Sequence, residues 1–240
     1  MKKILALALA AICVLVAIAS GYVYLNSKHN HSTVAKNPQK DKVAVATSQS
    51  SKPLKTVINS ADFDRIYTNL DQLVRDADVI VEGKVIGVSY FDFNTETNTK
   101  VLLKVTKSYT PNAKEGDILT FADIGGITTE AAIIRSNNNK FNQPIGKAEE
   151  NTKVQVLFDG VPLTKVGENV LYFAAAGTIN MLPEKHYIPL GAFQWKFMIN
   201  GDSIERYAPK DMQPPLYSSL KMNKADFEQK LNDAIKTNGK

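Results

Sequence analysis

Apolar residues fall along this chain in three patterns, and each predicts a different element. The first is an unbroken, uncharged run from Ile4 to Leu25. Roughly twenty such residues in a helix span the hydrocarbon of a bilayer. The second pattern is helical: Leu70, Leu73, Val74 and Ala77 recur at i, i+3, i+4 and i+7, the spacing of one helix face. Thr68 or Asn69 stands where a cap is needed, and Asp71 falls in the first turn. The same period returns near the end, where Asn223 precedes Phe227, Leu231 and Ile235. The third pattern is the short run rich in β-branched and aromatic residues, bounded by turn residues.

That third pattern dominates the rest. Val79–Tyr90 reads as a long strand, with Gly83 and Gly87 as bulge or bend sites. A polar turn at Asn94–Asn98 and a return strand at Thr99–Tyr109 make a hairpin. Further strands are expected at Ile118–Asp123, Thr128–Arg135, Val154–Phe158, Asn169–Ala176, Tyr187–Leu190 and Ala192–Ile199. Asn200-Gly201 is a hairpin signal joining the last of these to Ser203–Tyr207. Ser136–Thr152 is a polar excursion; loops of that length in a domain are functional or disordered. Residues 26–56 are polar, without aromatics or apolar period, and read as a disordered linker. Seven or eight short strands between a short N-terminal helix and a C-terminal helix predict a mainly β fold. A small antiparallel barrel, OB-like and partly open, is the first expectation, and a sandwich the second. The organisation is then a signal-anchor or signal peptide (1–25), a basic linker (26–56), a β domain (57–216) and a C-terminal helix and tail (217–240).

Charge changes the picture of where the basic residues act. The formal net charge is +5. Eight of the 29 Lys and Arg lie before residue 57, against one of the 24 acids, so residues 57–240 carry a net charge of −2. A nucleic-acid-binding domain needs a basic face of its own, so the charge balance argues against nucleic acid, and none is expected as a partner. Lysines in the linker keep a spacer soluble and suit an anionic membrane surface. As a coil, that linker places its ends on the order of 30 Å apart.

Lys2 and Lys3 before the apolar run favour an N-terminus inside and the remainder outside. An uncleaved single-pass anchor is the favoured reading, because the run continues past Ala19 and Tyr22 and Tyr24 suit an interface. The alternative is secretion after cleavage near Ala19, at the small-x-small site Ala17-Ile18-Ala19. Cys13 is the sole cysteine. Ile12 stands before it where a lipidation signal needs a small residue, and with no second cysteine no intramolecular disulfide forms. The exported domain must therefore rest on its hydrophobic core.

Candidate chemistry is sparse. Cys13 lies in the apolar run, and His29 and His31 in the linker, so a histidine-based nucleophilic site has only His186. That residue reads as an ordinary surface histidine at a turn. No Gly-x-Ser-x-Gly elbow and no metal-ligand spacing occurs, and His29-Asn-His31 offers too few ligands on a tether. No cofactor or metal is expected. Asp123, before Gly125-Gly126, is the one carboxylate set in a motif-like stretch. A phosphate cradle there lacks its lysine and its helix. Asp123-Ile124-Gly125 also departs from the Asp-Thr/Ser-Gly turn of aspartic proteases at Ile124. The plain reading is a strand end whose carboxylate accepts backbone N–H bonds while the glycines let the chain leave the sheet. Aromatic residues supply the other candidates. Phe193, Trp195 and Phe197 alternate as on one strand face, where core packing is the first explanation. Tyr90, Phe91 and Phe93 cannot all face inward from a regular strand, so at least one is exposed or bulged. The candidate ligand-binding residues are Tyr90, Phe91, Phe93, Trp195 and Asp123; no catalytic residue is assigned.

Several stretches in order carry a resemblance: Ala77-Asp-Val-Ile-Val-Glu-Gly-Lys-Val85, Val101–Tyr109, Lys114-Glu-Gly-Asp117, the Gly-Gly pair, Val166–Phe173 and Tyr187–Tyr207. Over about residues 70–208 the chain resembles a group of uncharacterised exported or membrane-anchored, often lipid-anchored, small β-domain proteins of Gram-positive bacteria. The resemblance implies a small β domain behind a short helix and carries no activity or site residues; Ile12-Cys13 departs from its lipoprotein members.

Together these features predict a membrane-tethered, non-catalytic binding or accessory domain of the cell envelope, with an envelope protein, peptide or glycan as partner. The alternative is a carboxylate-based extracellular hydrolase acting on a glycan or peptide, with Asp123 and an acid from Glu149-Glu150.

Overall fold

The β-branched run after Asp78 organises the molecule. A computed structural model describes residues 54–60, 65–141, 152–191, 193–207 and 221–240, with backbone alone for 137–141. In chain order the elements are β1 (Lys55–Asn59), α1 (Leu70–Asp76), β2 (Val79–Phe93), β3 (Glu96–Ser108), β4 (Ile118–Ile124), β5 (Gly126–Thr129), α2 (Glu130–Phe141), β6 (Lys153–Phe158), β7 (Asn169–Ala176), β8 (Tyr187–Pro189), β9 (Lys196–Asn200), β10 (Ser203–Arg206), β11 (Lys221–Asn223) and α3 (Lys224–Thr237).

Strand β2 pairs antiparallel with β3 on one side and β7 on the other, and β3 pairs with β4. The short β8 closes the ring, antiparallel to β7 and joined to β4 by one parallel pair, Phe121 with Tyr187. Five strands, β2-β3-β4-β8-β7, thus form a closed barrel, with α2 in the connection between its third and fourth strands. This is the small barrel expected, closed at a narrow seam rather than open. Register shifts fall at Glu82/Gly83 and Val85/Gly87, the two glycines expected to mark bulges. Beyond the ring, β7 also pairs with β9, and the sheet continues through β10 to β11. A separate three-stranded sheet runs β1-β6-β5, with β1 parallel to β6.

Alternation along β7 divides the core in two. Tyr172 shares a row with Val81, and its ring meets Phe121 edge-on at 5.0 Å inside the barrel. Phe173 shares the next row with Ile80 and faces the other way, where its ring lies 5.6 Å from Phe197. Phe197 in turn lies 5.0 Å from Phe227 of α3. Leu73 and Val74 of α1 and Leu231 of α3 complete that outer layer, all fully buried. Each ring of this size removed from water contributes about 2–3 kcal/mol, so the helices are part of the core rather than appendages.

Polar contacts fix the helices in register. Asn69 Oδ1 accepts from the Gln72 amide at 3.0 Å, while Gln72 Oε1 accepts from the Thr68 amide at 2.8 Å, a reciprocal cap. Asn223 Oδ1 accepts from the Ala225 amide at 2.8 Å and starts α3 at the expected residue. Lys224 Nζ then reaches Glu82 Oε2 at 2.9 Å and Glu228 Oε1 at 3.1 Å, and Lys107 holds Glu228 from β3 at 3.0 Å. The Tyr109 hydroxyl donates to Glu82 from the other side, so the buried carboxylate is paired and hydrogen-bonded.

Several expectations need correction. Lys55 and Thr56 belong to β1, so the fold begins inside the stretch read as linker; Val57 and Ile58 were too short an apolar pair to announce a strand. The expected strand Thr128–Arg135 is β5 followed by α2. Thr129 Oγ1 accepts from the Ala132 amide at 3.2 Å, and the helix formers Glu130-Ala131-Ala132 follow this cap. The strand expected from Ala192 begins only at Lys196. Its hairpin turn is Gly201-Asp202, because Asn200 pairs with Ser203. Gly201 alone of the two has positive φ, 59°, which suits a turn with glycine at its first central position. His186 is buried, 5% exposed, rather than a surface residue. Residues 4–25, most of the linker, Cys13, His29, His31 and the Glu149-Glu150 loop lie outside the described residues. Among the described residues no helix is long and apolar enough to cross a membrane.

Candidate functional site

Inside the barrel, Phe121 packs among Tyr172, Tyr187 and Trp195, with ring centroids 5.0, 5.8 and 6.1 Å away. Two residues further along β4, on the same face, stands Asp123. Opposite it, Lys196 pairs with Tyr172 and Met198 with Val170, so β9 turns both toward this mouth of the barrel. Trp195 enters from the turn before β9, its ring 4.0 Å from that of Tyr172. Phe158, Val161, Pro162 and Leu163 cover the space from the end of β6 and the turn after it. Asp159 and Gly160, at φ 48° and 72°, reverse the chain there. The result is a cavity of about 430 Å³, within the range of small-molecule sites, which favour barrel mouths.

The glycine pair after Asp123 makes this closure sterically possible. Gly125 has φ 90°, and a Cβ on it would sit 2.9 Å from the Val156 carbonyl oxygen of β6. A Cβ on Gly126 would sit 2.9 Å from Thr97 Cγ2 and 3.0 Å from the Asn98 carbonyl oxygen of β3. The chain crosses here from the barrel to the three-stranded sheet, and only bare backbone fits. The Gly125 amide donates to the Thr97 carbonyl at 2.9 Å and its carbonyl accepts from Thr99 Oγ1 at 2.7 Å. Asp123-Ile124-Gly125-Gly126 is therefore a strand end and crossover, not a phosphate cradle.

Few polar groups converge on the cavity. Lys196 Nζ donates to Thr164 Oγ1 at 2.9 Å and pairs with Glu168 Oε2 at 3.1 Å. Thr164 Oγ1 also lies 3.4 Å from the buried Tyr172 hydroxyl, whose pKa burial pushes up. Asp123 Oδ1 accepts from the Ile124 amide at 2.9 Å, as the sequence implied. Burial pushes the Asp123 carboxyl up to about 7, against the opposing pull of the Lys196 charge and the Ile124 amide. Glu205 pairs with Met198 across β9–β10 and so shares the cavity face; its carboxylate lies 3.6 Å from Lys221 Nζ. Arg206 pairs with Phe197 and faces the helices, its guanidinium 5.9 Å from that ring. Among the described residues no three His, Cys, Asp or Glu side chains are grouped to hold a metal.

The structure divides the five candidates read from sequence. Asp123 and Trp195 line one cavity. Tyr90, Phe91 and Phe93 sit on the β2–β3 hairpin outside it; Tyr90 is 38% exposed, and the other two are half-buried. Tyr90 shares a cross-strand row with Thr99 and Asp123, but its ring packs on Gly126. Phe193, Trp195 and Phe197 do not share a face. Phe193 and Trp195 lie before the strand and line the cavity, whereas Phe197 faces α3. Strand alternation carries Lys196 and Met198 to the cavity instead, and these, with Glu168 and Leu163, were missed. The available signal was a lysine set between two aromatic residues in an apolar run.

Compared with known protein families, with curated proteins and with solved structures, this chain finds no match.

Proposed function

We propose that this chain is a membrane-tethered, extracytoplasmic binding module of the cell envelope that holds its partner without transforming it. The tether is the run Ile4–Leu25 behind Lys2 and Lys3, followed by the lysine-bearing linker. The observation that carries the binding role is the barrel-mouth cavity. Trp195 and Phe193 give it apolar walls, and Asp123 and Lys196 add polar groups to its lining. Its size suits a small molecule or one group of a larger envelope glycan or peptide. Native mass spectrometry of the full chain taken from its own cells tests this. The expected result is a bound small-molecule or fragment mass that a cavity-filling Val161→Phe variant loses; an empty wild-type chain contradicts it. Protease shaving of intact cells should remove residues 57–240 from the membrane fraction, and protection from the protease contradicts the exported placement.

One observation favours a second reading, a carboxylate-based hydrolase acting on a glycan or peptide. Asp123, near 7, falls in the range a general acid needs, and Glu168 supplies a second carboxylate in the same cavity. The bond from Lys196 to Glu168 weighs against it, because it occupies the would-be second carboxylate. Hydrolysis of an envelope glycan that Asp123→Asn abolishes with the fold intact would favour this reading.

A further inference from the structure

We propose that the cavity selects a small primary amine with an apolar body, its ammonium meeting Asp123 and its body lying against Trp195 and Phe193. This rests on the binding-module reading above and names the ligand class.

The charges facing the cavity decide the sign. From β4 comes Asp123, from the residue before β7 Glu168, from β9 Lys196 and from β10 Glu205. Lys196 is the one cation among these, and Glu168 and Thr164 already hold it at 3.1 and 2.9 Å. Arg206 touches the cavity but shares the Phe197 face, turned to the helices. Glu205 has Lys221, 70% exposed, at the rim. The Tyr172 hydroxyl lies deep and neutral beside Thr164. Asp123 is the group left over: Oδ1 takes the Ile124 amide, and Oδ2 accepts no hydrogen bond from the described residues. An anionic ligand would meet Asp123 and two paired carboxylates, with Lys196 already held by Glu168 and Arg206 turned toward the Phe197 face. An ammonium would meet a half-buried carboxylate with indole and phenyl faces in the same cavity wall, surroundings that favour a cation.

Asp123, held near 7 by burial, also gives this choice a signature. A cation beside the carboxyl favours its charged form, so binding near pH 7 expels a proton.

The test uses the full chain in lipid nanodiscs and three probes of matched size: 2-phenylethylamine, 2-phenylethanol and 3-phenylpropionate. Trp195, the only tryptophan, reports binding by its emission. The expected order at pH 7.5 is amine, alcohol, carboxylate, with the amine at least tenfold tighter than the carboxylate. Asp123→Asn should erase the preference for amine over alcohol while the alcohol still binds, which shows that the cavity persists. Calorimetry at pH 7 in buffers of differing ionisation enthalpy should show release of roughly half a proton per amine bound, and none from the variant. If the alcohol binds and the amine is no tighter, or if the variant keeps the preference, the amine assignment is wrong while the binding module stands. If no probe reaches Trp195, the binding module falls as well.

Discussion

Lys196 Nζ lies 3.1 Å from Glu168 Oε2 at the mouth of the barrel. That contact leaves Asp123 without a committed counter-ion, although Lys196 lines the same cavity. Both partners are largely buried, with side chains 11% and 20% exposed, so the pair is held more firmly than a surface ion pair.

Asp123→Asn should therefore stabilise the protein, and only above a certain pH. The folded state holds the Asp123 proton up to about 7, whereas the unfolded chain releases it near 4. Between these values the folded state binds more protons, so wild-type stability falls as pH rises. Thermal unfolding should show no difference between wild type and variant at pH 4. At pH 8 the variant should gain on the order of 2 kcal/mol. Equal gains at both pH values would mean that ionisation is not the cause.

Glu168→Gln should act on the same group from the other side. With its carboxylate partner gone, Lys196 faces Asp123 as an uncompensated cation. The Asp123 titration, followed by its carboxyl ¹³C shift, should move below 7, and stability should fall by about 1–3 kcal/mol. An unmoved titration would separate Lys196 from Asp123 electrostatically.

Lys224→Ala should cost about 2–3 kcal/mol, because it leaves the Glu82 carboxylate, whose side chain is 7% exposed, with the Tyr109 hydroxyl but no counter-ion. Lys224 itself is 29% exposed, which places the cost below that of a fully buried pair. Adding Glu82→Gln should recover part of the loss in urea unfolding. Additive losses would contradict the coupling.

Gly125→Ala should destabilise by about 2 kcal/mol, from strain at positive φ and the approach to the Val156 carbonyl. The urea midpoint should shift while the slope of the transition stays the same.

The residues explain why some of this was legible in sequence and some was not. Asn69 and Asn223 were readable as caps because the side-chain-to-amide bond is local. Gly83 and Gly87 announced bulges because they interrupt one long β-branched run. The barrel followed from strand number and spacing. Lys196 was missed because alternation was counted from Phe193, while the strand starts after Trp195. The turn before it, where the Gln194 amide donates to the Gly191 carbonyl at 3.0 Å, depends on contacts far away in sequence. Gln194 is locked there by the Tyr67 amide, 127 residues distant, at 2.7 Å. Glu168 was missed for the same reason: its partner arrives from β9.

The central claim, that the barrel mouth takes up a ligand, meets its most direct test in the emission of Trp195, the chain's one tryptophan, set in the cavity wall. Titrating the full chain with 2-phenylethylamine should change that emission saturably, and Val161→Phe, by filling the space, should abolish the change. Emission that stays flat in the wild type with this amine and with 2-phenylethanol alike, or that changes equally in the filled variant, would contradict the account.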